Sequence, residues 1–309
     1  AVRADCPDWC RPLLEAAFGS DWVEEARALA DRPPLDLRVN TLLATRERVL
    51  SELADTRPSA TELAAQGIRI APIAGSGRHP NVQAEPAFQK GWFEVQDEGS
   101  QLAAELAGAE AGMQVLDLCA GAGGKTLALA ASMGNKGQIF AYDAEKVRLA
   151  PIFDRLRRAE ARNVQVVSRP AELEPLEGRM DLVLVDAPCT GSGTWRRRPD
   201  AKWRLTAKQV DVRRAEQARI LAAAASYVKP GGRLVYVTCS VFREENQEQV
   251  ERFLAASPGF AALDHQALFS QRFPAAMDRV RVGAGPGLVM SPLRTGTDGF
   301  FFAAMARAG

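Results

Sequence analysis

The amino-acid sequence predicts an α/β protein: a mostly parallel, doubly wound sheet that ends in an antiparallel strand, with a smaller α/β module before it. From residue 113 onward, apolar runs typical of buried parallel strands alternate with helical patterns. A polar stretch that contains Pro and Gly, AGSGRHPNVQAEP at 74–86, separates this region from what precedes it. We therefore expect a module over residues 1–85 and a larger domain over residues 86–309.

The smaller module has its own alternation of helix and strand. Apolar and acidic residues predict helices around 12–18 and 21–30, and the alternating pattern of LDLRVNTL predicts a strand at 35–42. Further helices are predicted at 46–54 and 61–67, and IRIAPI predicts a strand directly after the second. This order predicts a small α/β module.

The larger domain alternates strands and helices in the order that a parallel sheet requires. A short strand and a helix over 91–110 come first, and Ser100 or Asp97 is expected to cap that helix. Pro230-Gly231-Gly232 is expected to end the longest helix, and residues 257–287 are expected to be irregular. Strands are predicted at 115–118, 138–143, 164–167, 180–188 and 233–240, with two closing strands, and helices from 125 and over 144–161, 206–228 and 243–256.

The composition is typical of globular proteins: 309 residues, 47% hydrophobic and 25% charged, with a net charge of +1. Any nucleic-acid surface must therefore come from local clustering of charge. No run of about 18 apolar residues indicates a membrane span, and no signal-peptide pattern opens the chain. Five cysteines without a CxxC pair, and only two histidines, predict reduced thiols, a cytoplasmic location and no metal site.

Residues 115–126, VLDLCAGAGGKT, place a glycine-rich turn between a buried strand and a helix N-terminus, an arrangement typical of nucleotide sites. Three ligand classes use such a turn. Cys119 stands where a phosphate-binding P-loop carries its first glycine, and Thr126 stands where a dinucleotide fingerprint carries its third. The P-loop and the dinucleotide fingerprint are therefore both disfavoured, but neither is excluded. A plain strand-to-helix turn without a ligand also stays open.

The third class comprises methyltransferases that use S-adenosylmethionine (SAM), a ligand without phosphate whose ribose hydroxyls are held by an acidic residue. Asp143 ends the predicted strand QIFAYD at 138–143. It follows the turn at the interval of about 20 residues that a ribose-binding carboxylate requires. We therefore expect SAM as the cofactor, with Asp143 on its ribose.

Two cysteines and an aspartate are expected at the same edge of the sheet. Asp186 and Cys189 follow the fourth strand and Cys239 follows the fifth, so a parallel sheet brings them to one crevice with the glycine turn. Cytosine C5 is a poor nucleophile, but a thiolate that adds to C6 enables C5 to attack a sulfonium methyl group. The ring then needs a proton or a strong hydrogen bond at N3, and Asp186 is the expected donor. Alternatively, Asp186 caps a helix and Cys189 only fills a strand end.

Long motifs occur in a fixed order throughout the chain. They are LRVNTL, WFEVQDEGSQLAAEL, DLCAGAGGKT, DAPCTGSGTWRRRPD, PGG before VYVTCS, EEN after it, and MSPLRTGTDGFF. In these motifs the chain resembles RNA 5-methylcytosine methyltransferases of the NOL1/NOP2/Sun (Fmu) family, and within it the bacterial 16S ribosomal RNA methyltransferase B type. The resemblance implies a Rossmann-like SAM-dependent methyltransferase domain preceded by an RNA-recognition-like module.

The resemblance also implies a role for each matching residue. Cys239 would be the nucleophile, Cys189 would assist release of the methylated product, and Asp186 would lie near both SAM and the target base. Asp143 would hold the ribose. The rest of the SAM site would be lined by Cys119, Ala120, Gly121, Ala122, Gly123, Gly124 and Lys125, the last of which is also a candidate catalytic residue.

One segment departs from the family pattern. Family members often carry an Asp after the third strand that contacts the adenine side of SAM, whereas this chain has Ser168-Arg169-Pro170-Ala171-Glu172. The adenine contact is therefore left unassigned, with Glu172 as a substitute.

A cationic segment, TWRRRPDAKWR at 194–204, follows the Pro-Cys motif and is bracketed by Trp195 and Trp203. Positive charge positions phosphates, and aromatic rings stack on unpaired bases. The alternative is a charged surface loop whose tryptophans lie in the core. The residues expected to contact RNA are Arg196, Arg197, Arg198 and Lys202.

The expected function is methyl transfer from SAM to C5 of a cytidine in RNA, ribosomal RNA being favoured, through a covalent bond between Cys239 and C6. A transfer RNA substrate stays open, as does a SAM-binding RNA assembly factor without turnover. A DNA 5-methylcytosine methyltransferase would take its nucleophile from the Pro-Cys motif, which is Cys189. We expect RNA as the partner, no membrane association, and a monomer.

Overall fold

The computed structural model describes residues 4–73, 77–280 and 285–309. The chain forms two compact units: one is Pro34–Leu182, and the other combines the residues up to Pro33 with Val183–Gly309. The predicted linker at 74–86 begins at 74–76, which lie outside the described residues, as do residues 281–284 of the region predicted to be irregular. Within the described part of the chain, no helix combines the length and the apolar character needed to cross a bilayer.

Two short helices open the second of these units. They are α1 (Arg11–Phe18) and α2 (Trp22–Ala28), and they confirm the helices predicted for this segment. Leu14 and Phe18 are one turn apart on α1 and both are fully buried, as an amphipathic helix requires.

A small antiparallel sheet is the first feature of the unit Pro34–Leu182. Its elements are β1 (Leu35–Val39), α3 (Arg46–Glu52), β2 (Ser59–Ala60), β3 (Gly67–Ile70), α4 (Pro86–Gln89), β4 (Phe93–Val95) and α5 (Glu98–Leu106). The strand order is β2-β3-β1-β4, and every adjacent pair is antiparallel. Alternate residues of β1, Leu37 and Val39, pack with Ile68 and Phe93 into one hydrophobic core. The division of the sequence at residue 85 stays a prediction.

The helix predicted at 61–67 is wrong. Thr61 donates its hydroxyl hydrogen to the carbonyl of Ala64 at 3.0 Å, and Glu98 Oε1 accepts from the amides of Leu63 and Ala64 at 2.9 Å each. A carboxylate from a distant helix thus satisfies the amide groups that would otherwise begin a helical turn.

A run of parallel strands follows in the same unit. Its elements are β5 (Gln114–Asp117), α6 (Gly124–Ser132), β6 (Gln138–Tyr142), α7 (Lys146–Leu149), α8 (Ile152–Arg158), β7 (Val164–Val167) and β8 (Met180–Asp186), the last of which ends in the other unit. β5 pairs with β6, and β6 with β7, in parallel register. The helix predicted at 144–161 is interrupted at Pro151, because proline has no N–H to donate within a helix.

The remaining elements belong to the unit that contains α1 and α2. They are α9 (Ala201–Arg204), α10 (Ala207–Tyr227), β9 (Val228–Thr238), α11 (Gln247–Ala256), β10 (Phe260–Ala262), α12 (His265–Arg272), β11 (Leu288–Met290), α13 (Pro292–Thr295) and β12 (Phe300–Arg307). Thr206 and Gln209 form a reciprocal capping box at the start of α10. The irregular region predicted at 257–287 is wrong, since β10 and α12 lie in it. α10 ends at Tyr227, one residue before the predicted end, but β9 begins at Val228, so Pro230-Gly231-Gly232 lies within the strand rather than before it.

Over the described residues, the larger sheet has eight strands: seven in the order β10-β12-β9-β8-β5-β6-β7, and β11, which pairs with β12. β12 is antiparallel to β9, β10 and β11. The predicted fold class is confirmed: a large, mostly parallel sheet with an antiparallel C-terminal part.

Candidate active site

The glycine turn predicted to hold SAM joins β5 to α6 in the unit Pro34–Leu182. Gly121 and Gly123 have φ values of +50° and +84°, in the left-handed region that glycine adopts without strain. Gly123 is the N-cap of α6, so the first amide groups of this helix follow the turn directly. Cys119 is half-buried, while Ala120 and Gly121 are buried.

Gly121 and Gly123, the two glycines with left-handed φ values, differ in the atoms that surround them. A Cβ on Gly121 would meet Arg148 Nη2 at 3.7 Å and Asp143 Oδ2 at 3.9 Å, both at ordinary van der Waals distance. A Cβ on Gly123 would lie 2.6 Å from Cγ1 of Ile152, the first residue of α8. Gly121 thus lies beside the Asp143 carboxylate without a close contact, whereas Gly123 allows close packing of two elements.

Asp143 follows β6 and is buried with its carboxylate fixed against the turn. Oδ2 accepts a hydrogen bond from the amide of Gly121 and Oδ1 accepts one from the amide of Glu145, both at 2.9 Å. Each oxygen keeps a further lone pair, because a carboxylate offers about four acceptor sites. This geometry suits a ligand that presents hydroxyl donors, which is the role predicted for Asp143.

The first turn of α6 carries Lys125 and Thr126, both buried. Thr126 donates its hydroxyl hydrogen to Asp117 Oδ2 at 2.7 Å, which ties the helix to the end of β5. The predicted roles of Lys125 in cofactor binding and catalysis stay predictions.

The segment 168–172 lies at the start of a 3-10 helix, Pro170–Leu176. Glu172 accepts a hydrogen bond from Arg169 Nε at 2.6 Å, and this bond lowers the pKa of the Glu172 carboxyl. The proposed substitute for the adenine contact is therefore an ionised carboxylate that already has a cationic partner.

We expect Gly123→Ala mainly to destabilise the fold and Gly121→Ala mainly to weaken SAM binding. Gly123→Ala combines left-handed strain with a clash against Ile152 and should cost about 2–5 kcal/mol of folding free energy. Gly121→Ala should cost only about 1–2 kcal/mol of left-handed strain but weaken SAM binding by about tenfold, because its methyl group occupies the space beside Asp143. Thermal unfolding and SAM titration of both variants check this, and unchanged SAM affinity in Gly121→Ala would contradict the ligand position.

A pair of thiols lies in the other unit, at the ends of β8 and β9. The amide of Ala187 donates to the carbonyl of Val237 at 2.9 Å, which holds the two strand ends together. Beyond this bond, Cys189 Sγ lies 3.4 Å from Cys239 Sγ, and both residues are half-buried. Asp186, the last residue of β8, is also half-buried.

The two thiols are coupled through their contact. The hydrogen bond to Cys239 and burial raise the pKa of Cys189 well above its ordinary value, and electrostatic interactions with Cys239 and Glu245 raise it further. Two thiols this close do not readily ionise together, so one member of the pair keeps its proton. The sequence assigned no role to Glu245, which is fully buried next to this pair.

The cationic segment 194–204 is divided between the interior and the surface. Arg196 is buried and donates to Asp298 Oδ1 at 2.5 Å, and Arg197 donates to Oδ2 of the same carboxylate. Lys202 is buried and pairs with Asp5. Trp195 lies in the core, as the alternative expectation held. Arg198 and Trp203 are exposed.

A family model described as 16S rRNA methyltransferase RsmB/F matches residues 104–306, and a model of the ferredoxin-like domain of RsmF/B-like methyltransferases matches residues 6–73. The module at the N-terminal side is thus ferredoxin-like.

Curated relatives match almost the whole chain. Probable ribosomal RNA small subunit methyltransferase B of Synechocystis sp. is 32% identical over 98% of this chain and 67% of its own length. Ribosomal RNA small subunit methyltransferase B of Enterobacter sp. (strain 638) is 32% identical over 97% of this chain and 66% of its own length. The chain spans about two thirds of the length of these relatives.

Solved structures share the fold. NSun6 from Pyrococcus horikoshii with SFG has a TM-score of 0.82 at 22% identity, covering 98% of each chain. A methyltransferase homologue from the same organism has a TM-score of 0.77 at 25% identity, covering 99% of this chain and 97% of that one. The chain therefore belongs to the RsmB/F 16S rRNA methyltransferases, within the NOL1/NOP2/Sun family of RNA methyltransferases, and its cofactor is S-adenosylmethionine.

Proposed function

We propose that the chain transfers a methyl group from SAM to C5 of a cytidine in RNA, most favourably 16S rRNA, through a covalent bond between Cys239 and C6 of the base. The observation that carries the proposal is the thiol pair, with Cys189 Sγ 3.4 Å from Cys239 Sγ and both residues partly accessible. A methyltransferase that alkylates a nitrogen or an oxygen has no need of a sulfur nucleophile, because those atoms carry their own lone pairs.

When bound, SAM supplies an electrophilic methyl group. The thiolate of Cys239 forms a bond to C6, and the electron pair of the C5–C6 double bond becomes available at C5. C5 then bonds to the methyl carbon while the methyl–sulfonium bond breaks and leaves its electron pair on sulfur. Loss of the C5 proton to a base restores the double bond and expels the Cys239 thiolate, so the cysteine is regenerated.

The roles of the other two groups follow from their chemistry. The thiolate is the attacking form of cysteine, and the Thr-Cys-Ser motif supports Cys239 as that thiolate, with Cys189 as its protonated neighbour. A protonated Cys189 can donate a hydrogen bond to the sulfur of Cys239 as it leaves C6, and so assist product release. Asp186 shares a proton with N3 and stabilises the charge that addition at C6 pushes into the ring.

RNA contact in the segment 194–204 is assigned to its exposed members. Arg198 offers a charge for phosphate, and the ring of Trp203, 58% exposed, offers a stacking surface for an unpaired base. Arg197 is partly exposed beside Asp298. Arg196 and Lys202 support the loop through their buried ion pairs, so their predicted contact with RNA is not part of this proposal.

Methyl transfer to RNA tests the proposal directly. The protein, SAM with a labelled methyl group, and either 16S rRNA or transfer RNA should give label in 16S rRNA, and bisulfite mapping should place it at a cytidine. Label in transfer RNA alone would change the substrate, and label at a position that bisulfite converts would contradict C5 as the target atom.

We expect Asp143→Ala to weaken SAM binding by about 10- to 100-fold, the value of a hydrogen bond to a charged group, and to leave RNA affinity within about twofold. The carboxylate is buried and fixed by Gly121, so its loss removes acceptors for the ribose hydroxyls. Calorimetric titration with SAM and filter binding with RNA measure the two affinities. Glu145→Ala is the matched control, because this exposed side chain is two residues away. Equal losses for both ligands would count against the ribose role.

A further inference from the structure

Glu245 lies in a 3-10 helix, Arg243–Glu245, that follows β9, and its side chain is completely buried. Its carboxylate accepts four hydrogen bonds from three residues, all of them neutral donors. Oε1 accepts from the amide of Thr190 at 2.8 Å and from Gln217 Nε2 at 3.0 Å. Oε2 accepts from the hydroxyl groups of Thr190 at 2.6 Å and Ser240 at 2.5 Å.

Two of these donors come directly after the two thiols in the sequence. Thr190 follows Cys189 and Ser240 follows Cys239, so one carboxylate joins the loop after β8 to the loop after β9. Removing it would leave the half-buried amide and hydroxyl of Thr190 without this acceptor, while the buried Ser240 hydroxyl has Ser192 Oγ, at 2.9 Å, as an alternative. Each group left unsatisfied costs about 1–3 kcal/mol. The carboxylate therefore links the position of one loop to that of the other.

The carboxylate is itself held from other directions. Gln217 of α10 donates to Glu245 Oε1 and to the carbonyl of Pro188, both at 3.0 Å. The hydroxyl of Tyr236 donates to the backbone carbonyl of Glu245 at 2.7 Å, which fixes this residue against β9. A rigid acceptor of this kind can keep two loops in register through a reaction cycle.

We propose that Glu245 is the positioning residue of the thiol pair: it holds Cys189 and Cys239 at the separation that the covalent cycle needs. This inference rests on the proposed function for its catalytic consequence, but its geometric part stands apart from RNA and SAM. Its negative charge has a second effect, because it contributes to the raised pKa of Cys189.

The four hydrogen bonds of Glu245 allow the effect of its charge to be separated from its effect on the loop geometry. At Oε2 both partners are hydroxyl groups, which can accept as well as donate, so the amide nitrogen of Glu245→Gln can take that position. Its carbonyl oxygen can keep the two N–H donors at Oε1. Glu245→Gln should thus preserve the loop geometry and lose the charge, whereas Glu245→Ala loses both.

The first test measures thiol proximity without substrate. Diamide oxidises two adjacent thiols to a disulfide and takes up their two electrons and two protons. The protein is digested after timed exposure, and the bond between the tryptic peptides 180–196 and 234–243 is quantified by mass spectrometry. We expect Glu245→Ala to form this disulfide at least about tenfold more slowly than the unmodified protein, and Glu245→Gln to stay within about twofold.

The second test measures charge. Alkylation of Cys189 by iodoacetamide, followed from pH 6 to pH 11 on its own peptide, should begin at lower pH in Glu245→Gln, because the loss of a nearby negative charge lowers the pKa of the thiol. Glu244→Ala is the matched control for both tests, since this half-buried neighbour has its side chain outside the hydrogen-bond set of Glu245. An unshifted alkylation profile in Glu245→Gln, or a normal disulfide rate in Glu245→Ala, would overturn the proposal.

The third test measures the turnover of methyl transfer to RNA. Glu245→Ala should lower kcat by about 100-fold, as expected for misplaced reacting groups, with the KM for SAM unchanged, and Glu245→Gln should recover most of kcat. If Glu245→Ala does not fold, as thermal unfolding would show, the alkylation profile and kcat of Glu245→Gln decide the question. If the thiol measurements behave as expected but the unmodified protein transfers no methyl group to RNA, the proposed function fails and the positioning role stands.

Discussion

Replacing Cys239 with alanine is expected to abolish methyl transfer to RNA, with a loss on the order of 10⁴-fold or more. C5 of cytosine has no lone pair for the methyl group, and only the bond from Cys239 to C6 makes it nucleophilic. The same variant should form no covalent complex with RNA. Incorporation of labelled methyl groups and denaturing electrophoresis of protein–RNA mixtures measure the two losses.

The control for Cys239→Ala is a variant that removes a different thiol. Cys10 is fully buried, and burial raises its pKa to about 12, so it holds no thiolate at neutral pH. Cys10→Ala should retain methyl transfer within about twofold. Residual turnover of Cys239→Ala above a few per cent of the unmodified protein would exclude a sulfur nucleophile at position 239.

Replacing Cys189 with alanine is expected to have the opposite effect on the covalent complex, which should accumulate while turnover falls by about 100- to 1,000-fold. Cys189 Sγ lies 3.4 Å from Cys239 Sγ, and without it the departing sulfur has lost the hydrogen-bond donor that we propose for it. Denaturing electrophoresis should reveal a protein–RNA band that persists after SAM is consumed, and single-turnover kinetics should show normal methylation followed by slow release.

The two cysteine variants distinguish this proposal from a DNA-type assignment of the thiols. If Cys189→Ala abolished the covalent complex and Cys239→Ala trapped it, the nucleophile would be Cys189 and the roles would be exchanged. If both variants methylated RNA normally, the reaction would need neither sulfur atom.

Local patterns predicted the parts of the fold that depend on local physics. The apolar run of β5 and the glycines after it indicated a strand, a turn and a helix, and the left-handed φ values of Gly121 and Gly123 agree with that pattern. The meeting of Cys189 and Cys239 followed from topology, because neighbouring strand ends bring the residues after them together.

Charged residues were harder to predict, since their partners are remote in the sequence. Arg196 and Lys202 fitted a cationic RNA surface, yet their carboxylate partners, Asp298 and Asp5, are 102 and 197 residues away. No local pattern separates a buried ion pair from an exposed basic patch. The exposed Arg198 belongs to the same run of sequence and differs from Arg196 only through this tertiary context.

The contacts of the buried carboxylates were also not predicted, because most of their partners are remote in the sequence. Glu98 accepts hydrogen bonds from the amide groups of Leu63 and Ala64, in the segment where a helix was predicted. Glu245 belonged to the EEN motif and to the helix predicted over 243–256, and no role was predicted for it. Its four hydrogen bonds are evident only when the loops after β8 and β9 are seen together.

The position of the covalent bond between the protein and RNA tests the proposed mechanism most directly. RNA that carries 5-fluorocytidine at the target position cannot lose a proton from C5, so the reaction should stop with enzyme and RNA joined. After digestion, mass spectrometry should find the methylated nucleotide on the peptide 234–243, at Cys239. A nucleotide on the peptide 180–196, at Cys189, or no bonded complex at all, would contradict the central claim that the sulfur of Cys239 attacks C6.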